Sequence, residues 1–254
     1  MTRKILGVVH LLPLPGSPDF EDIDLVLERA RSDTSKYYEA GFDGIIIENF
    51  GDMPFEKEAR KETIASMAIV ANEIRKTFDF TIGINLLRND PIGAIAIAGV
   101  AKCDFVRINV HVGTYVTDQG IIEGNAGKTL RYRRMFPSIK IYADVHVKHA
   151  YPLMNLAIEE AALDCWKRGK ADALIVTGKR TGGKIDIEEL KRVKQTVGCP
   201  VFAGSGVGKN NISEILKYAD GAIIGSQVKR NNDPNQPVDE VKAKEIIKLV
   251  KSSI

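Results

Sequence analysis

Eight short runs dominated by Val, Ile, Leu and Ala recur along the chain, at residues 5–11, 44–50, 81–87, 105–111, 140–148, 173–178, 200–206 and 221–226. Between them the apolar positions fall three and four apart, as in Leu25-Val26-Leu27 running on to Tyr37, or Ile187, Leu190, Val193 and Val197. Near-continuous apolar runs mark strands buried on both faces, and the helical spacing between them predicts covering helices. The junctions agree with this alternation. Ala40-Gly41-Phe42-Asp43-Gly44, Gly169-Lys170-Ala171-Asp172 and Tyr218-Ala219-Asp220-Gly221 each close a helix and enter a run. Glycine tolerates the left-handed cap there, aspartate suits the turn, and the likeness of the three is a faint internal repeat. Eight strands, the crossovers between them and a closing helix at 238–252 predict a single (β/α)8 TIM barrel spanning residues 1–254. The rival is an open doubly wound sheet, but Val9-His10-Leu11-Leu12-Pro13 after the first strand is not the expected G-x-G-x-x-G.

Polar residues break the apolar runs at their C-terminal ends, where the loops of such a barrel converge and its chemistry resides. The first strand ends at His10, the second at Glu48 and Asn49, the third at Asn85 and the sixth at Thr177. Arg107, Asn109 and His111 alternate along the fourth strand, and Asp144, His146 and Lys148 along the fifth, so strand parity predicts one shared side for each set. A charge inside a barrel must be paired or used. Asp144, His146, Glu48 and His10 are therefore the candidate catalytic groups, with acids and bases of different strength close together. Asn49, Asn85, Arg107, Asn109, Lys148 and Thr177 are the candidate substrate-binding residues. Lys148 suits a bound anion, and a Schiff base is its other chemistry. No cofactor is firmly implied. Glu48, Asp144 and His146 form an alternative set for a divalent metal, one nitrogen and two carboxylates, but no compact ligand motif accompanies them.

The last two strands end in Gly204-Ser205-Gly206 and Gly225-Ser226. Glycine lets backbone N–H groups approach an anion and serine adds a donor, and the loops after strands seven and eight are the recurrent phosphate site of these barrels. Each motif alone is weak; at successive strand ends they predict a phosphate-binding rim. Gly127-Lys128-Thr129 imitates the end of a P-loop, but Ile122 stands where that motif needs glycine. Residues 113–128, with Gly113, Gly120, Gly124 and Gly127, read instead as a long loop, either a mobile lid or a static excursion. The loop 179–184 is a second candidate cover.

Composition narrows the partners. The 36 basic and 33 acidic residues leave a net charge of +3, without the basic bias that nucleic acid as a partner demands. Cys103, Cys165 and Cys199 lie far apart with no metal-ligand spacing, which fits a reducing, cytoplasmic compartment. The first apolar run is too short for a secretory signal, and the most apolar stretch, 92–100, is too short to cross a bilayer. Membrane contact would be peripheral, and association into a homo-oligomer is the default for such barrels.

The opening stretch from Gly7 to Pro18 (GVVHLLPLPGSP), the stretch from Gly44 to Asp52 (GIIIENFGD) and the run from Ala143 to His149 (ADVHVKH) resemble the BtpA family, as does Gly204 to Val207 (GSGV). The resemblance covers nearly the whole chain. It implies a phosphate-binding barrel and carries over no reaction. It also brings a second expectation, since the family takes its name from photosystem I biogenesis at photosynthetic membranes: a non-enzymatic stability factor for a membrane protein complex. The residues themselves point to an enzyme acting by acid–base chemistry on a small phosphorylated metabolite, a sugar phosphate or nucleotide-like compound, with isomerase, lyase, transferase and hydrolase all open.

Overall fold

A computed structural model describes residues 3–178, 183 and 185–252. The apolar runs form strands β1 (Lys4–His10), β2 (Gly44–Glu48), β3 (Thr81–Asn85) and β4 (Phe105–Ile108). Further along come β5 (Thr114–Thr117), β6 (Gly120–Glu123), β7 (Lys140–Asp144) and β8 (Ala150–Pro152). The last three are β9 (Ala173–Val176), β10 (Val201–Ala203) and β11 (Gly221–Ile224). Eight of them close into a parallel barrel in the order β1-β11-β10-β9-β7-β4-β3-β2. Helices α1 (Ile23–Ala40), α2 (Lys61–Thr77), α3 (Pro91–Val100), α4 (Ala126–Arg133), α5 (Ile158–Leu163), α6 (Ile187–Thr196) and α7 (Ile212–Ile215) make the crossovers, and α8 (Glu240–Ser252) closes the ring. The fold is the predicted TIM barrel.

Strand parity separates two cores. Residues facing the helices form the larger one, while Leu6, Val8, Ile46, Phe105, Tyr142, Ala173, Ile175, Phe202 and Ile223 fill the barrel itself. Near its base, Phe105 stacks on Tyr142 at 4.3 Å between ring centroids, and Tyr142 meets Phe202 at 5.2 Å. Glycines make the space: a Cβ on Gly83 would stand 2.2 Å from the Phe105 ring, and one on Gly221 2.5 Å from the Phe202 ring. The barrel is plugged from below, so a ligand must enter from the other end.

The base is also laced by four aspartates. Asp43, Asp104, Asp172 and Asp220 precede every second strand, and each accepts the backbone N–H at the start of the strand before it. The acceptances are Ile5 N to Asp43 at 2.7 Å, and Ile82, Ile141 and Val201 N to Asp104, Asp172 and Asp220 at 2.8 Å each. In return each aspartate N–H donates to the carbonyl of the same partner, at 2.8 to 2.9 Å. Three of these are the repeated junctions of the sequence; Asp104 is the fourth.

Residues 113–128 are not a long irregular loop. β5 and β6 form an antiparallel hairpin, β8 pairs with β5, and the three strands make a small sheet in the order β6-β5-β8. Its inner face buries Tyr115 and Ile122 against Val110 and Val147. On its outer face Val116 lies between its register partners Ile121 and Tyr151, and all three are exposed. The proposed second cover lies largely outside the described residues. Among the described residues no helix is long and apolar enough to cross a membrane.

Candidate active site at the barrel mouth

At the C-terminal end of the barrel, nine of the fifteen predicted site residues line one small mouth: His10, Glu48, Arg107, Lys148, Gly204, Ser205, Gly206, Gly225 and Ser226, joined by Gln227. The space between them is about 30 Å³. That admits roughly one water-sized group.

β1 and β2 run in register with His10 opposite Glu48, which brings His10 Nε2 to 3.8 Å from Glu48 Oε1. Both side chains are buried. Burial, reinforced by the charges of Lys229, Lys148 and Arg107, holds the His10 pKa well below the ordinary value, so the ring is neutral at pH 7. Its Nδ1 is buried without a partner. Gly225 leaves the ring its room, since a Cβ there would stand 3.1 Å from His10 Cε1.

Beneath the mouth lies a polar floor. Arg107 Nε and Nη2 donate to the two oxygens of Asp144 at 3.0 Å each, a bidentate pair. Asn109 Nδ2 donates to Asp144 at 3.2 Å, and Asn85 Nδ2 to Asn109 Oδ1 at 2.7 Å. Asn85 Oδ1 is buried without a partner. Burial opposes the Arg107 charge, but the Asp144 carboxylate more than offsets this and the guanidinium pKa is raised. Asp144 is thus committed to a salt bridge.

That commitment breaks the predicted Asp144–His146 pair. β7 ends at Asp144, and His146 adopts φ 53°, a left-handed turn that ends the strand alternation. Its Nδ1 faces the Tyr115 hydroxyl at 3.3 Å and its Nε2 the Leu156 carbonyl at 3.2 Å. Glu48, Asp144 and His146 accordingly do not converge as a metal-ligand set, and no such group of three occurs among the described residues. His111 also leaves the shared side of its strand, with Nε2 2.7 Å from the Gly169 carbonyl.

Two predicted binding residues serve the backbone instead. Asn49 clamps Leu87, accepting its N–H at 2.7 Å and donating to its carbonyl at 3.3 Å, and also donates to Asp52 at 3.0 Å. The Thr177 hydroxyl donates to the His146 carbonyl at 3.2 Å. Within the rim, Gly204 N–H is spent on the Val176 carbonyl at 2.8 Å, and its missing Cβ makes way for Ile175, 2.3 Å from where it would stand. Ser205 Oγ accepts the Gly178 N–H at 2.7 Å and keeps its own proton to donate.

Arg88 was not legible as a site residue. It is buried, donates from Nη2 to the Lys148 carbonyl at 2.7 Å, and so props the segment that carries Lys148. Burial lowers its pKa, and it lowers that of Lys148 as well, where Glu48 works in the opposite direction. An arginine three residues beyond Asn85, the polar end of the third strand, was the only signal in the sequence.

Solved structures share the barrel. Thiamine phosphate pyrophosphorylase from Pyrococcus furiosus superimposes with a TM-score of 0.63 at 17% identity, over 100% of this chain and 98% of that one. Phosphoribosyl anthranilate isomerase from Thermus thermophilus gives 0.61 at 14% identity, over 98% of each chain. Such identities show the fold alone. Sequence relatives go further. An uncharacterised protein of Methanocaldococcus jannaschii is 49% identical over 97% of this chain and 95% of its own length. The photosystem I biogenesis protein BtpA of Synechocystis is 39% identical over 98% of this chain and 88% of its own. The profile of the BtpA family matches residues 1–252, and with relatives this similar along almost its whole length the chain belongs to the BtpA family.

Proposed function

We propose that this protein is an enzyme acting on a small phosphorylated metabolite at the barrel mouth. The observation that carries the reading is that the rim Gly204–Gly206 and Gly225-Ser226 shares one mouth with three titratable groups, His10, Glu48 and Lys148. Ser205, Gly206 and Ser226 hold the phosphate. Remote binding energy from that grip positions the reacting end over Glu48 and His10. The Glu48 carboxylate takes a proton and returns it, with the neutral His10 ring 3.8 Å away. Arg107 and Asp144, locked together by their bidentate bonds, set the field of the floor. The structural neighbours named for phosphorylated compounds, thiamine phosphate pyrophosphorylase and phosphoribosyl anthranilate isomerase, support a phosphate ligand for this barrel by analogy.

Thermal denaturation with inorganic phosphate and small sugar phosphates tests the grip. Ligand at about a hundred times its dissociation constant stabilises by about 2.7 kcal/mol, so the midpoint should rise by several degrees. Ser205→Asp puts a negative charge into the rim and should abolish the rise. A rise that survives Ser205→Asp, or none with any phosphate compound, sinks the reading.

A second reading, a non-enzymatic factor for assembly of a membrane protein complex, follows the name of the Synechocystis relative. What favours it is the exposed apolar row Ile121, Val116 and Tyr151, continued by Leu153 and Met154. The two readings separate by complementation of a deletion strain. The enzymatic reading expects Glu48→Gln to fail and Val116→Ser/Tyr151→Ser to succeed; the assembly reading expects the reverse.

A further inference from the structure

Among the described residues, Arg88, Arg107 and Lys148 are cations near the mouth, and their roles differ. Arg107 is neutralised by its bidentate bonds to Asp144. Arg88 is engaged with the Lys148 carbonyl. A guanidinium does not release its proton in a protein, so Lys148 is the one member of the three able to become a neutral nucleophile. Its setting favours that change. It lines a mouth with about 30 Å³ of water-sized space, where an ammonium finds little solvation, and burial lowers its pKa even though Glu48 acts in the opposite direction. Glu48 is buried in the same mouth and is the largest charge influence on Lys148. The same carboxylate argues against Lys148 as the phosphate anchor, because a dianion seated there would meet Glu48. The phosphate belongs at the Ser205-Gly206 and Gly225-Ser226 side, which leaves Lys148 facing the other end of the ligand.

We propose that Lys148 is a covalent catalytic residue that forms a Schiff base with a phosphorylated aldehyde or ketone. The proposal rests on the phosphate reading above and deepens it. The neutral Nζ adds its lone pair to the carbonyl carbon as the C=O π bond breaks. Glu48 carries a proton from nitrogen to the new alkoxide, giving a carbinolamine. The C–O bond then breaks, oxygen leaves as water with both former N–H protons, and C=N forms. The imine withdraws electrons from the adjacent carbon, whose proton or carbon–carbon bond Glu48 and His10 are placed to manage.

The test is reductive trapping on the full chain. Glyceraldehyde 3-phosphate is supplied with cyanoborohydride and the modified lysines are mapped by peptide mass spectrometry. Lys148 should be labelled at least tenfold faster than the other lysines, and excess inorganic phosphate should suppress that labelling alone. Lys148→Arg, checked for native circular dichroism, should show only the background. Labelling spread evenly over surface lysines, while phosphate compounds still raise the melting midpoint, overturns the nucleophile and leaves the phosphate site standing. Equal selective labelling by unphosphorylated glyceraldehyde overturns the phosphorylated class of substrate. Loss of both selectivity and thermal stabilisation overturns the underlying phosphate reading.

Discussion

Arg107 and Asp144 occupy the floor of the mouth as a desolvated pair with both carboxylate oxygens engaged. The energetics of such a pair are asymmetric. Arg107→Ala leaves a buried carboxylate uncompensated and should cost about 3–5 kcal/mol in denaturant unfolding, whereas Arg107→Met with Asp144→Leu should recover most of it. A double variant no more stable than the single one would mean that the pair is not the unit of stability. His10 and His111 add a pH signature. Both have folded pKa values lowered by burial, so on acidification the unfolded chain takes up protons near pH 6.5 that the native state refuses. Stability is therefore present above about pH 6.5 and is lost as pH falls below it toward the lowered folded values. His10→Asn should flatten that slope in unfolding titrations. At this scale strand parity was a sound guide as long as the backbone stayed in the sheet. It brought Glu48 and Arg107 to one mouth, while Lys148 reaches that mouth from beyond the end of β7. It failed at His146, where a left-handed residue ends the alternation, and at Asn49 and Thr177, whose bonds to backbone groups have no mark in the sequence.

The elements divide between holding the barrel and covering it. Each aspartate tie at the base supplies an acceptor to a strand N–H that opens a buried run, and receives a reciprocal bond from its own N–H. Asp43→Ala should therefore lower stability by about 1 kcal/mol, while leaving phosphate-dependent stabilisation at the far end of the barrel unchanged. A loss of ligand response in that variant would show that base and mouth are coupled. Three of these ties were visible as repeated Gly/Asp junctions; Asp104 was hidden because the stretch from Ala101 to Phe105 contains no glycine. The hairpin after β4 was legible only as a loop, mobile or static, for a related reason. Its four glycines suggested mobility, yet Tyr115 and Ile122 alternate with Val116 and Ile121 as two short strands do. Only the buried partners Val110 and Val147 decide that the pattern is used.

For the molecule as a whole, the vulnerable step is closure of the ring, because β11 must return to β1 across most of the chain. A buried ion pair fastens that seam. Lys229, just beyond β11, donates to Asp33 of α1 at 2.9 Å with both side chains fully buried, and Asp33 also accepts the Val238 N–H at 2.7 Å and Arg29 Nε at 3.1 Å. The segment between Lys229 and Val238 is thereby pinned to the first helix, and α8 follows, burying Ala243, Ile246, Ile247 and Val250. Burial drives the Lys229 pKa down to about 8 against the pull of Asp33, so the site holds its charge at neutral pH only because the carboxylate is there. Asp33→Ala should accordingly cost about 3–5 kcal/mol, and the cost should shrink as pH rises past the point where Lys229 in the variant gives up its proton. Asp33→Asn keeps two of the three hydrogen bonds and loses the charge, so it isolates the electrostatic part. If Asp33→Asn unfolds at the same denaturant concentration as the natural chain, the seam is held by apolar burial beneath α8, and the ion pair serves only to set which lysine lies there.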